Sequence, residues 1–79
     1  MDGFQEFQFI KDNSLHLGRA IKDFRERRGY SQDYLANIMD DSRSTILKIE
    51  NGKISFSIDY LSKLSVYLNF DFQLVDKDN

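Results

Sequence analysis

Residues 31–52, SQDYLANIMDDSRSTILKIENG, decide the fold. The stretch reads as two short helices joined by a tight turn. Ser31 and Ser42 stand where each helix opens, and a serine oxygen there accepts from an otherwise unpaired amide of the first turn. Asp33 places a negative charge in the first turn of the earlier helix, where the helix dipole favours it. Tyr34, Leu35 and Ile38 supply apolar contacts, and Ala36 is small enough for a close helix crossing. Met39-Asp40-Asp41 forms the turn. In the later helix Ile46 and Ile49 face inward, and Asn51-Gly52 ends it. Its outer face is polar and carries cations at Arg43 and Lys48. This is the arithmetic of a helix-turn-helix, whose second helix is shaped to enter a DNA major groove.

Upstream, Leu17, Ile21 and Phe24 fall at i, i+4 and i+7, one face of a helix expected to start at Ser14. Arg25, Arg27 and Arg28 enrich its last turns, where cations suit the dipole. Gly29 stops it in the left-handed position after the helix end. Downstream, residues 53–56 connect to a fourth helix capped by Ser57, with Ile58, Leu61, Leu64 and Leu68 at three-to-four spacing and Asn69 at its end. Phe70-Asp71-Phe72-Gln73-Leu74 then alternates apolar and polar, a strand pattern without an obvious partner in the same chain. Residues 1–13 read as an irregular arm in which Phe7-Gln8-Phe9-Ile10 suits a short strand. The expected organisation is an arm over 1–13, a helical domain over 14–69, a strand over 70–76 and a tail over 77–79.

Seventy-nine residues allow one domain. A chain of this size buries only about 60% of the surface its unfolded form exposes. It has no cysteine, so no disulfide or thiolate metal site reinforces it. Dimerisation is then a natural way to add core. No apolar run approaches the roughly 18 residues of a membrane span, and the start lacks the basic-then-apolar pattern of a signal peptide, so a cytoplasmic protein is expected. The net charge of −2 and pI of about 5.2 weigh mildly against nucleic acid. The distribution weighs the other way. Arg19, Lys22, Arg25, Arg27, Arg28, Arg43, Lys48 and Lys53 outnumber Asp23, Glu26, Asp33, Asp40, Asp41 and Glu50 within residues 14–53. Both flanks carry excess acid. Such a chain should bind DNA only modestly without sequence matching, and with strong salt dependence.

From Leu17 to Leu68 the chain resembles the Cro/repressor, or XRE, family of helix-turn-helix proteins. The resemblance rests on Arg25, Gly29-Tyr30-Ser31-Gln32, Leu35-Ala36, Ser42-Arg43-Ser44-Thr45-Ile46, Ile49-Glu50-Asn51-Gly52-Lys53, and Ser57-Ile58 with Leu61. It implies an all-α, lambda-repressor-like domain of four helices, to which this chain adds a short C-terminal β-strand and, over Phe7–Ile10, the makings of an N-terminal one. Four helices followed by a strand resemble in particular the small HipB-type antitoxins, in which such a strand pairs across a dimer. Here that would place Phe70, Phe72 and Leu74 at a homodimer interface. Two departures bear on the turn. Members usually carry Gly at the position of Asp40, where positive φ is wanted, and a buried Val or similar at that of Asp41. Asp tolerates the first conformation better than most residues. At the second, either the turn opens slightly or Asp41 points outward and helps to cap the third helix.

Arg43, Ser44, Thr45 and Lys48 lie on or near one face of the later helix and read as base contacts, and the resemblance implies that the positions of Arg43, Ser44 and Lys48 face the bases. Arg43 and Lys48 can donate to guanine O6 and N7, and Ser44 can reach several base edges. The bland alternative is an ordinary solvated helix face. Gln32 at one end of the surface, and Asn51 with Lys53 at the other, resemble the family's phosphate contacts; helix capping by Gln32 and turn formation by Asn51-Gly52 are the competing roles. Leu47 reads equally as a contact for a thymine methyl and as a plain surface leucine. The family also implies an ion pair between Arg25 and Glu50. His16 is the lone histidine, so no metal site is expected, and no nucleophile sits beside a base, so no catalysis and no cofactor are expected. The expected function is sequence-specific binding of double-stranded DNA at a near-palindromic operator, as a dimeric transcriptional repressor. The alternative is a protein-interaction module, such as an antitoxin subunit whose main partner is a toxin.

Overall fold

Four helices follow one another in the computed structural model, which describes residues 3–78: α1 (Gly3–Arg27), α2 (Gln32–Ile38), α3 (Arg43–Glu50) and α4 (Ile58–Leu68). Three of them open on serine. Ser31, Ser42 and Ser57 each hold extended backbone angles, and each side-chain oxygen accepts from the amide three residues on, at 3.0–3.1 Å. The helix ends use left-handed residues where the chain must reverse. Gly29 follows α1 at φ +72°, and Asn69 closes α4 at φ +54°. Asp40 takes φ +57° in the turn between α2 and α3, the conformation expected there.

The core is one cluster built from every helix. Ile21, Leu35, Ala36, Met39, Ile46, Ile49, Leu64 and Leu68 are buried in it, and Leu17, Phe24, Tyr30 and Ile38 pack around its edge. Met39, read from the sequence as a turn residue, is a core residue at the hinge between α2 and α3. Ile58, assigned by its spacing to the inner stripe of α4, is instead exposed, because it stands in the first turn, short of the helices that cover Leu61. Burying a leucine or isoleucine side chain is worth about 1.5–3 kcal/mol, so these few residues supply most of what holds so short a chain together.

Two glycines let α1 lie hard against the end of α3. A Cβ on Gly18 would collide with the carbonyl oxygen of Ile49, and one on Gly52 would stand 2.8 Å from the Cα of Leu15. Gly52 also holds φ +67°. The backbones of α1 and the α3–α4 connection therefore touch directly, which sets the depth at which α3 sits.

Two boundaries differ from the sequence reading. The first helix begins at Gly3, not at Ser14, so the described part of the 1–13 arm is helical and Phe7–Ile10 is not a strand. The apolar positions 7, 10, 17, 21 and 24 continue one three-to-four spacing through Ser14, and no proline interrupts it. The local alternation over 7–10 is the shorter and weaker pattern. At the other end, residues 70–76 form no strand among the described residues. A strand is defined by its ladder, and a single copy of the chain offers this segment no edge to pair with. Met1 and Asp2 of the arm, Asn79 of the tail, and the side chains of residues 4 and 6–10 lie outside what the structure describes.

Candidate nucleic-acid interface

The later helix of the pair has two distinct sides. Ile46, Ile49 and Glu50 are buried, whereas Arg43, Ser44, Leu47 and Lys48 are exposed along the opposite face. Positions 43, 44, 47 and 48 share one stripe at helical spacing. The structure thus brings Arg43, Ser44 and Lys48 onto a common outer surface with Leu47 between them. Thr45 sits to the side of that stripe, half-buried, with its hydroxyl 3.0 Å from the Ser42 hydroxyl. Its side chain belongs to the cap of α3 rather than to the outer face.

The surface is held from behind by a buried ion pair. Arg25 donates through Nε to Glu50 Oε2 at 2.6 Å and through Nη2 to Glu50 Oε1 at 3.0 Å. Its remaining nitrogen, Nη1, donates to the carbonyl of Tyr30 at 2.8 Å. The side chains are 10% and 1% exposed. The hydrogen bond to Glu50 raises the Arg25 pKa further above its ordinary value, against the opposing effect of burial. The planar guanidinium suits a carboxylate through two parallel bonds, and here it ties the end of α1 to the end of α3.

Gln32 extends this network to the surface. Its Nε2 donates to Glu50 Oε1 at 3.1 Å, and its Oε1 accepts from Arg43 Nε at 3.4 Å. Asp33 approaches the same guanidinium at 4.0 Å, with both side chains largely exposed. Gln32 therefore bridges the buried pair to the first residue of α3, a role its sequence position alone did not reveal. Asn51 caps α3 through its backbone amide, which reaches the carbonyls of Ile49 and Leu47, and its side chain stays exposed. Lys53 is exposed just beyond, its amide bonded to the Lys48 carbonyl at 2.8 Å. Gln32 thus flanks the stripe at one end, and Asn51 and Lys53 flank it at the other.

The turn before α3 is organised by Asp41, whose carboxylate points outward. It accepts from the amide of Ser42 at 2.7 Å and from the hydroxyl of Tyr60 at 3.0 Å. The Ser42 amide holds the Asp41 carboxyl below its ordinary range. Lys63, one turn along α4 from Tyr60, donates to the carbonyl of Met39 at 3.1 Å.

The helix-turn-helix family model matches residues 21–75, more than half of the chain and the whole of this surface. The chain belongs to the XRE-type helix-turn-helix family. It is 36% identical over 52 residues to the competence pilus inhibition repressor of Acinetobacter baylyi, a match covering 62% of this chain and 47% of that protein. It is also 32% identical over 59 residues to the ImmF control region 10 kDa protein of Bacillus phage phi105, covering 75% of this chain and 66% of the other. The chain thus spans about half of the first relative and just under two thirds of the second.

Three contributors to this helix-turn-helix surface escaped the sequence reading. Gly18 allows α1 its close approach to α3, and a lone glycine inside a helical pattern is the signal that marks it. Tyr60 and Lys63 hold the turn from α4. Their spacing of three residues puts them on one face of that helix, but nothing in it says which partner they meet.

Proposed function

We propose that this protein binds double-stranded DNA sequence-specifically and acts as a dimeric transcriptional repressor. The observation that carries the proposal is the outer face of α3. Arg43, Ser44 and Lys48 stand there exposed on a helix whose other side is locked to α1 and α2. A rigid helix with cations on its free face is what major-groove reading needs, since base edges are read by side chains held in a fixed register. Arg43 and Lys48 donate to guanine, Ser44 reaches a neighbouring base edge, and Leu47 packs against a thymine methyl. Thr45 works from the cap. Gln32, Asn51 and Lys53 flank the reading face and contact phosphates. One relative carries the word repressor in its name, which supports the regulatory half of the reading.

The dimer rests on the last segment. Phe70 packs on its own chain, stacked on Phe24 at 4.7 Å between ring centroids. Phe72 is 45% exposed, Val75 is largely exposed and Leu74 is fully exposed. We read residues 70–75 as a strand that forms when a second copy pairs with it about a two-fold axis, covering Phe72 and Leu74 and completing both backbones. A second reading adds a protein partner of the antitoxin type. It is favoured by the same exposed apolar residues, together with Val66 and Tyr67, which are exposed on α4.

Titrating isotope-labelled protein with a short duplex tests the interface. Amide shifts should cluster at residues 31–33, 43–48 and 51–53. Shifts centred on 66–75, with α3 unmoved, would contradict the assignment and favour the partner-protein reading.

A further inference from the structure

We propose that Tyr60 is a positioning residue for the reading surface: its hydroxyl, through Asp41, fixes the angle at which α3 leaves the turn. The inference rests on the DNA-binding reading for its consequence, but its geometry stands alone. The α2 side of the turn is held by main chain. The amides of Met39, Asp40 and Asp41 donate to the carbonyls of Leu35, Asn37 and Ala36 at 2.9–3.1 Å. The α3 side begins at Ser42, whose amide points to the Asp41 carboxylate at 2.7 Å. That carboxylate is exposed, and its other oxygen is anchored by Tyr60 at 3.0 Å.

Tyr60 is well placed to act as an anchor. Its ring is half-buried and tilts against Phe56 at 5.9 Å between centroids. Burial pushes its phenol well above the ordinary tyrosine value, with the Asp41 carboxylate adding to the effect. The group therefore stays a donor through the neutral range. Lys63 adds a second grip three residues along, on the Met39 carbonyl. An apolar residue at position 41 would take its orientation from packing, which is forgiving of small shifts. A carboxylate takes it from directional hydrogen bonds. The hydroxyl on α4 thus steadies the first residues of α3 from the turn side, while the Arg25–Glu50 pair and Gln32 hold the helix from the other. Because α4 also leads into residues 70–75, the same helix joins the turn to the segment proposed to pair between copies.

Two measurements on the full chain test this. In hydrogen exchange, Tyr60→Phe should speed exchange of the Thr45 and Ile46 amides, which bond to the Ser42 carbonyl, by about tenfold, the low end for losing a hydrogen bond to a charged group, as suits an exposed one. The amide of Ile21 should be unchanged. In anisotropy titrations at low temperature, the variant should lose about tenfold on a duplex enriched from random sequence, but less than twofold on the random pool, since loose positioning harms base readout and spares phosphate contact. Asp41→Ala should reproduce both effects, and the double variant should be no worse than either single one. Uniform acceleration across all helices, or unchanged Thr45 and Ile46, would overturn the proposal. So would equal losses on both duplexes. If the wild type enriches no sequence, the DNA reading fails, while the exchange result still decides the role of Tyr60.

Discussion

At the scale of single residues, the pair Arg25–Glu50 and the glycine at 18 make the sharpest statements. The ion pair is buried with all three guanidinium nitrogens bonded, and among the described residues no buried side-chain polar atom lacks a partner. Removing one member leaves the other charged and uncompensated, at a cost of about 3–5 kcal/mol. Glu50→Ala should therefore shift the urea midpoint strongly downward; an unchanged midpoint would mean that the pair holds nothing. Gly18→Ala gives a result that runs against helix propensity. Alanine is better than glycine in a helix interior by about 1 kcal/mol, yet here its methyl meets the backbone of Ile49 and Glu50. The variant should lose about 1–3 kcal/mol, the usual cost of overpacking, and a gain in thermal stability would show that α1 and α3 are not in contact there. The pairing partners Arg25 and Glu50 were legible only through likeness to a known family. Nothing in their spacing of 25 residues states that they meet. Gly18 escaped that reading, because a close approach involves a second element that one residue cannot announce.

At the scale of elements, the three serine-capped helices were readable because their signals are local. A serine, a first turn and an apolar stripe lie within a few residues of each other, and the structure uses the three serine caps as written, while Tyr34 and Ile58 stand outside the buried stripes. The first helix was misplaced at its start because its apolar spacing was followed only from Leu17 and because Phe7-Gln8-Phe9-Ile10 alternate. That alternation is weaker than the continuous helical spacing that runs through it. Ties between elements were not readable. The sequence offers Gln32 as a phosphate contact or a helix cap, and nothing in it says that the side chain bonds Glu50 and Arg43 at once. The surface of α3 divides into roles that binding can separate. Lys48→Ala should cost about 1–3 kcal/mol on a preferred site and relax the preference at one base position. Lys53→Ala should weaken binding to every sequence alike and lower the salt slope by about one unit. Anisotropy titrations at several salt concentrations distinguish the two, and a Lys48 variant with unaltered preference would place α3 outside the groove.

At the scale of the whole molecule, the question is how many copies act together. A chain this small gains core by pairing, and its last segment leaves Phe72, Leu74 and Val75 in solvent. If that segment joins two copies, truncation after Asn69 should turn a dimer into a monomer in sedimentation at tens of micromolar. A full-length chain that already runs as a monomer would remove the dimer. No helix of the described residues is long and apolar enough to cross a membrane. Symmetry connects assembly to recognition. Two reading helices related by a two-fold axis engage half-sites about 34 Å apart, one turn of the duplex. The most direct measurement is selection of bound sites from random duplex DNA at moderate salt, with the wild type and the Arg43→Ala variant in parallel. The wild type should enrich a near-palindrome whose half-sites lie about 10 base pairs apart, and the variant should lose preference at one position in each half. No enrichment by the wild type would contradict sequence-specific DNA binding by this surface.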